Sequence, residues 1–310
     1  MDPRGKRVAL TGATGFVGGH TLDHLVGQGY SVSALTRRAM PARDGVRWVE
    51  GDLTQDRALA ALVDDTDAVI HVAGLIKARR DADFFDVNVD GTRRLIAALA
   101  GRPVKFVYLS SLAARERHLS AYAASKAAAE DLLTRTEGLD WTILRPPAVY
   151  GPGDRETLVF FKAAATRRPL LPGSPRHRSS LIHVLDLAGA LEAALRLPGL
   201  SGKTADVHDG KDGGYALVDV LALIAGRPGW HRPLFLPPIA LGSVGGMVRI
   251  ASMLTGGVPM LTPGKARELS FPDWVCRDRT LEACGWRALI DAERGLPDTR
   301  RWYEASGDLP

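Results

Sequence analysis

The 310-residue chain predicts a doubly wound α/β fold, a parallel sheet with helices on both faces, followed by a smaller C-terminal domain. Three observations carry that expectation. An apolar run, Val8-Ala9-Leu10, leads through the turn Thr11-Gly12-Ala13-Thr14-Gly15-Phe16-Val17-Gly18 into an amphipathic segment. Short apolar runs then alternate with longer amphipathic ones as far as residue 144. After Arg145-Pro146-Pro147 the alternation stops, and proline and glycine become dense over 146–175 and again over 228–263. Strands alternating with helices are the pattern of a parallel sheet covered on both sides.

The first strand, 7–10, and the first helix, 17–27, bracket the glycine turn. In that order each glycine has a distinct use. Gly12 permits the tight turn, Gly15 lets the backbone approach a pyrophosphate, and Gly18 lets the helix pack close to the strand. The helix start adds unpaired N–H groups and the positive end of the helix dipole. Gly12, Thr14, Gly15, Phe16, Val17 and Gly18 are therefore the first candidate cofactor residues. The second strand, 31–35, ends at Thr36-Arg37-Arg38. An acid here would bond the ribose 2′-OH of NAD, whereas arginine suits the 2′-phosphate of NADP. No acid is present, so Arg37 and Arg38 favour NADP over NAD.

The third strand, 46–50, runs into Gly51-Asp52-Leu53, where Asp52 can accept from an adenine amino group and Leu53 can pack on the ring. Asp52 can also cap the next helix, 57–62. The fourth strand, 68–71, is followed by Ala73-Gly74, small enough for a cofactor to pass close. His71 at its end reads as a core histidine. A helix over 84–100 precedes the fifth strand, 105–109, which ends at Ser110-Ser111. A helix over 121–137 then carries Tyr122 and Lys126, and a sixth strand covers 141–144. Four residues apart on a helix, Tyr122 and Lys126 share one face. A phenol with an ordinary pKa near ~10 is a poor acid–base group at neutral pH. A neighbouring ammonium favours the phenolate, so Tyr122 is expected to titrate lower and to exchange a proton with a substrate oxygen. Ser111 is expected to bond the same oxygen.

Taken together these residues resemble the extended short-chain dehydrogenase/reductase family, the NAD(P)-dependent epimerase/dehydratase group. The resemblance rests on Gly12/Gly15/Gly18, Asp52-Leu53, Asn88-Val89-Asp90-Gly91-Thr92, Ser110-Ser111, Tyr122 with Lys126, and the run Leu144 to Gly153. His183-Val184 with Asp186 matches a later element. The resemblance implies a Rossmann cofactor domain over 1–150 and a substrate-binding region over 151–310, with 181–184 and 204–207 returning to the sheet. It further implies a Ser111-Tyr122-Lys126 triad, a geometric or water-relay role for Asn88, and Pro147 near the nicotinamide. Ser110 joins the cofactor set. A homodimer is consistent with such a family. Two features depart from the nucleotide-sugar members. Only ten residues separate Ser111 from Tyr122, and the sequence reads Leu112-Ala113-Ala114-Arg115 where many sugar epimerases have a longer insert.

Composition sets the outer limits. Hydrophobic content of 45% and charged content of 24% are ordinary for a globular chain. Net charge is +5, but the arginine pairs are scattered, with no stripe or motif for nucleic acid. Cys276 and Cys284 form no disulfide framework and lack zinc ligands, so a cytoplasmic setting is expected and no metal. The amino-terminal residues lack the apolar core of a signal peptide. The most apolar stretch, 234–261, contains prolines and Arg249, so no transmembrane span is expected; it reads as the lining of an apolar pocket or a membrane-surface contact. Asp186 is expected to cap a helix over 187–197. The resemblance to sugar epimerases, in which a nearby arginine binds the nucleotide diphosphate, makes Arg178, one position off that pattern, a candidate for the same role; otherwise it belongs to a basic surface loop. The leading expectation is an NADP-linked oxidoreductase interconverting a secondary alcohol and a ketone on an apolar or small organic substrate. Its rivals are a nucleotide-sugar epimerase or dehydratase, and a non-catalytic cofactor-binding scaffold or redox sensor.

Overall fold

A computed structural model describes residues 5–236 and 262–309. Its centre is a seven-stranded sheet made of β1 (Arg7–Thr11), β2 (Ser31–Thr36), β3 (Val46–Glu50), β4 (Ala68–His71), β5 (Lys105–Leu109), β6 (Asp140–Arg145) and β11 (Lys203–Asp206). The spatial order is β11-β6-β5-β4-β1-β2-β3, and every pairing is parallel. From β1 the chain winds outward to β3, then crosses to β4 and winds the other way. The reversal leaves a crevice over the carboxyl ends of β1 and β4, where ligands of such sheets bind.

Parallel strands must bury both faces, and the side chains alternate accordingly. Val8, Leu10, Ile70 and Val107 point to one side, under α1 (Phe16–Gly27) and α7 (Val184–Arg196). Ala9, Val69, Phe106 and Tyr108 point to the other, under α2 (Asp56–Val63), α4 (Gly91–Ala98) and α5 (Ala121–Arg135). A third cluster gathers Phe161, Leu171, Tyr215, Leu221 and Leu296 from the C-terminal half. Among the described residues no helix is long and apolar enough to cross a membrane. The expectations for the apolar stretch 234–261 lie outside the described residues from 237 onward.

Three local expectations need correction. The helix predicted over 84–100 is interrupted: α3 (Asp81–Phe85) and α4 flank a π-helical turn, Asp86–Asp90. Such widened turns are frequent at functional sites, and this one carries Asn88. Of the two stretches expected to return to the sheet, β11 does so beside β6. Leu181–His183 instead forms β10, which pairs with β7 (Ala148–Tyr150) in a separate two-stranded ladder. The helix after β10 starts at Val184, with the His183 ring accepting from Leu185 N at 3.3 Å. Asp186 therefore lies inside the first turn, and its carboxylate accepts from Leu289 N at 3.1 Å and Ile290 N at 2.8 Å. It ties the last segment of the chain to α7 rather than capping it.

Candidate functional site

The glycine turn fits a dinucleotide for reasons visible in its backbone. Gly12 has φ +75°, and a Cβ there would lie 2.8 Å from Ala73 N and 3.0 Å from Ala73 Cα. The two crossover loops, after β1 and after β4, thus touch through a bare backbone. Helix α1 starts at Gly15 with no side-chain cap and no acidic residue in its first turn. Gly15 N itself donates to Gly12 O at 2.9 Å, and the first-turn N–H groups that follow have no side-chain cap, the arrangement that receives a phosphate. Thr14 and Gly15 are exposed and Phe16 and Val17 half-buried at this edge. Arg37 and Arg38 are exposed just past β2. Arg37 lies near enough to Asp52 to help hold that carboxyl below its ordinary range, after the hydrogen bonds from Thr54.

Asp52 does not cap α2. Its Oδ1 accepts from Thr54 N at 2.8 Å and Thr54 Oγ1 at 2.6 Å, closing a turn ahead of a helix whose cap position is Gln55. Leu53 is buried in the core against Gly91, where a Cβ would meet its side chain at 2.9 Å. His71 is buried and bonded on both ring nitrogens, to Thr11 at 2.6 Å and Thr92 at 2.9 Å. Burial pulls its pKa down to about 3, so it stays neutral as a core residue.

Asn88 pins three elements together. Its side chain accepts from Leu75 N at 2.7 Å and donates to Leu75 O at 3.1 Å and to Ser125 Oγ at 2.9 Å. The loop after β4 is thereby fastened to α5, and a Cβ on Gly74 would lie 3.1 Å from Asn88 Oδ1 and 3.6 Å from Lys126 Nζ. Gly74, Asn88 and Lys126 meet at one point below the crevice.

Helix α5 brings Tyr122 and Lys126 to that place. Ser120 caps it, accepting from Ala123 N at 2.9 Å. Ser111 caps the short turn after β5, accepting from Ala113 N at 3.2 Å, and lies close enough to Tyr122 to hold the phenol's pKa down somewhat. All three therefore lie at the carboxyl end of β5: Ser111 follows the strand, Tyr122 is beside Ser111, and Lys126 bonds the carbonyl of the strand's last residue, Leu109. Lys126 is buried, its Nζ donating to Leu109 O at 2.7 Å and lying 4.4 Å from the centre of the Tyr108 ring. Pro147 is half-buried between β6 and β7 on the same edge of the sheet.

The electrostatics differ from the expectation for Tyr122. Burial pushes its pKa up to about 12, partly offset by the nearby Ser111 hydroxyl, and Glu268 adds to the rise. Burial pulls Lys126 down to about 7, with Glu130 opposing. The protein alone therefore holds a protonated phenol beside an easily neutralised amine. The linkage gives a testable sign. A lysine whose folded pKa is below its ordinary 10.5 makes folding less favourable as pH falls from about 10.5 to about 7. Lys126→Met should stabilise the cofactor-free protein, by on the order of a few kcal/mol near pH 6 and much less near pH 10.5. Thermal unfolding of both proteins across that range checks it; equal differences at the two ends would contradict it.

Several neighbours of the site were not singled out by sequence reasoning. Glu130, one turn beyond Lys126, is buried and takes two bonds from the Arg145 guanidinium, one at 2.9 Å from Nε, and one from the Ser110 hydroxyl. Ser110 thus has its hydroxyl turned to this pair, while Ser111 faces Tyr122. The Tyr122/Lys126/Glu130 spacing was the available signal. The second group comes from far along the chain. Glu268, on α9 (Pro263–Ser270), accepts from the Ser120 hydroxyl, and Arg267 Nε donates to Leu119 O at 2.7 Å. Arg115 Nη1 donates to Val275 O at 3.0 Å. The C-terminal segment is thereby fastened to the start of the helix that carries Tyr122. Arg178 is distant in kind: it lies on a small strand and donates to Gly214 O at 3.2 Å.

The model of the NAD dependent epimerase/dehydratase family matches residues 8–207, well over half of the chain. The chain belongs to this family. Its members and relatives are NAD-dependent reductases, dehydrogenases and epimerases, and this chain is an enzyme of that kind. Ceramide reductase from Caulobacter vibrioides is 40% identical over all of this chain and 98% of its own length. UDP-glucose 4-epimerase from Vibrio cholerae is 26% identical, covering 96% of this chain and 95% of that one. Among solved structures, UDP-glucose 4-epimerase from Thermus thermophilus in complex with NAD superposes with a TM-score of 0.71 at 23% identity, over 97% of this chain and 99% of that chain. That likeness concerns the family's fold, with its seven-stranded Rossmann sheet.

Proposed function

We propose that this family member is an NADP-linked reductase that converts a ketone on a long-chain, apolar substrate to the secondary alcohol, and runs the reverse oxidation. The proximity of Ser111 to Tyr122, with Lys126 one turn further along α5 at the carboxyl edge of β5, carries the reading. Gly12, Thr14, Gly15, Phe16, Val17 and Gly18 would hold the pyrophosphate, Arg37 and Arg38 the 2′-phosphate, and Asp52 with Leu53 the adenine end. Ala73, Gly74, Asn88, Ser110 and Pro147 would shape the nicotinamide end. The bound nicotinamide supplies or accepts hydride at C4.

This chain's residues do the rest. Ser111 Oγ positions the substrate oxygen. Tyr122 Oη donates its proton to that oxygen as the carbon is reduced, and takes it back in the reverse direction. Lys126, when protonated, stabilises the phenolate left behind and holds the ribose hydroxyls. A cofactor and substrate filling the crevice expel water, which strengthens that charge–charge coupling. The substrate class is supported by the ceramide reductase relative, whose name gives a long-chain lipid. It is supported also by the short Ser111-to-Tyr122 connection, which lacks the insert of many sugar epimerases.

Purified protein with NADPH and a long-chain ketone in mixed micelles should oxidise the cofactor, and UDP-glucose should not be epimerised. No ketone turnover, with epimerisation of the sugar nucleotide, would reverse the assignment. The cofactor choice has its own test. Arg37→Ala should weaken NADPH binding by roughly tenfold and leave NADH nearly unchanged, since one charge-assisted contact is worth about 1.5–3 kcal/mol at most and this arginine is exposed. Equal effects on both cofactors would remove the 2′-phosphate role.

A further inference from the structure

Residues 157–185 and 220–236 contain no aspartate or glutamate. The first stretch carries Lys162, Arg167, Arg168, Arg176 and Arg178, and the second Arg227 and Arg232. The fold lays them side by side. Strand β8 (Leu170–Pro172) pairs parallel with β13 (Leu234–Leu236), with Leu170 opposite Leu234. Arg232 N donates to Arg167 O at 2.7 Å just ahead of the ladder.

Between them lies an open groove of about 760 Å³, lined by Arg167, Arg168, Arg232, Leu234 and Phe235 among others, with no carboxylate among the described residues. Arg167, Arg168 and Arg232 are exposed, and none forms an ion pair among the described residues. Arg277 and Arg300, by contrast, are paired with Asp273 and Glu304. On the same face Leu170 and Leu234 stand 58% and 60% exposed. Arg232 Nη1 also donates to Gly229 O at 2.8 Å and His231 O at 3.2 Å, but its charge, like those of Arg167 and Arg168, has no carboxylate partner among the described residues. Two exposed leucines opposite each other on a ladder, beside these cations, combine an apolar tip with a cationic rim. That combination complements the anionic headgroups and acyl boundary of a bilayer. A nucleic acid would use the cations but has no place for the leucines.

We propose that the β8–β13 face docks on an anionic lipid surface. Arg167, Arg168 and Arg232 engage headgroup phosphates, and Leu170 and Leu234 enter the interface. The purpose of docking, delivery of a bilayer-resident substrate, rests on the lipid-ketone reading above; the docking itself does not.

The experiment is co-sedimentation of the full chain with phosphatidylcholine vesicles, with and without one quarter phosphatidylglycerol. Wild-type protein should bind the mixed vesicles and not the neutral ones, and should be released by high salt. One basic residue near such a surface is worth about fivefold in affinity, so the triple variant R167E/R168E/R232E should lose at least about tenfold. L170S/L234S should lose binding severalfold while keeping the salt dependence. Both variants should retain full turnover of a short, water-soluble ketone, which shows that they fold. Absence of wild-type binding, or equal binding by the variants, overturns the proposal. Vesicle binding intact with no turnover of any ketone would support the docking surface and sink the substrate reading instead.

Discussion

Tyr122→Phe is expected to lower turnover by about 10²–10⁴-fold, the range for losing a positioned general acid, while the affinity for NADPH changes little. The substitution removes one hydroxyl and leaves the ring in its contact with Phe84, 5.9 Å between centres. The fold should change little, because the neighbouring Ser111 keeps its capping bond from Ala113 N. The pH profile should change with it. On the proposed mechanism, Tyr122 would give its proton in the ternary complex and Lys126 would need its charge to stabilise what remains. Lys126 sits at about 7 in the protein alone, so reduction should fall on the alkaline side of its pKa in the complex. In the phenylalanine variant the residual rate should lose that limb. Comparing kcat and KM across pH for both proteins checks the account. Unchanged turnover in the variant would remove Tyr122 from the chemistry.

Gly18→Val is expected to abolish cofactor binding and to destabilise the protein by about 1–3 kcal/mol or more, the usual cost of overpacking. A Cβ at this position would stand 2.5 Å from the Gly12 carbonyl carbon and closer still to its oxygen. Those atoms are backbone, so no side chain can swing away. Either α1 moves off β1 or the glycine turn opens, and both displace the N–H groups proposed to hold the pyrophosphate. The measurement is a thermal shift with and without NADPH. A ligand at a hundred times its Kd adds ~2.7 kcal/mol to the native state, so the wild-type protein should show a clear rise in Tm. The variant should show a lower starting Tm and no rise. Gly19→Ala is the control, since a Cβ there meets only Ala13 O at 3.7 Å. A normal cofactor response in Gly18→Val would mean that the turn does not hold the phosphates.

How much of this was legible in the sequence follows from the range of the interactions. The sheet strands and the glycine turn declare themselves locally, by apolar runs and by spacing. Tyr122 and Lys126 do too, because an i, i+4 pair is fixed by the helix itself. The π-helical turn at Asp86–Asp90 was not legible, since it depends on Asn88 reaching Leu75 and Ser125 across loops. Asp186 misled for the same reason: its type and position suit a cap, but two N–H groups a hundred residues away claim the carboxylate. The upward shift of Tyr122 came from burial, which a one-turn spacing does not reveal. Glu268 and Arg267 on the start of α5 are contacts between chain segments about 150 residues apart, and no local pattern announces them. The pairing of β8 with β13 is similar. Their arginines and leucines are unremarkable in sequence and acquire a common face only when the ladder forms.

The central claim is that this family member reduces a ketone on an apolar substrate with a proton from Tyr122 and hydride from a nicotinamide. Its most direct test is a reaction with NADPH deuterated at nicotinamide C4 and a long-chain ketone, followed by mass spectrometry of the lipid product. The account predicts one deuterium on the new carbinol carbon and one oxidised cofactor for each alcohol formed, with both lost in Tyr122→Phe. Recovery of unreacted ketone and undiminished NADPH, beside turnover of a sugar nucleotide without net cofactor oxidation, would contradict it.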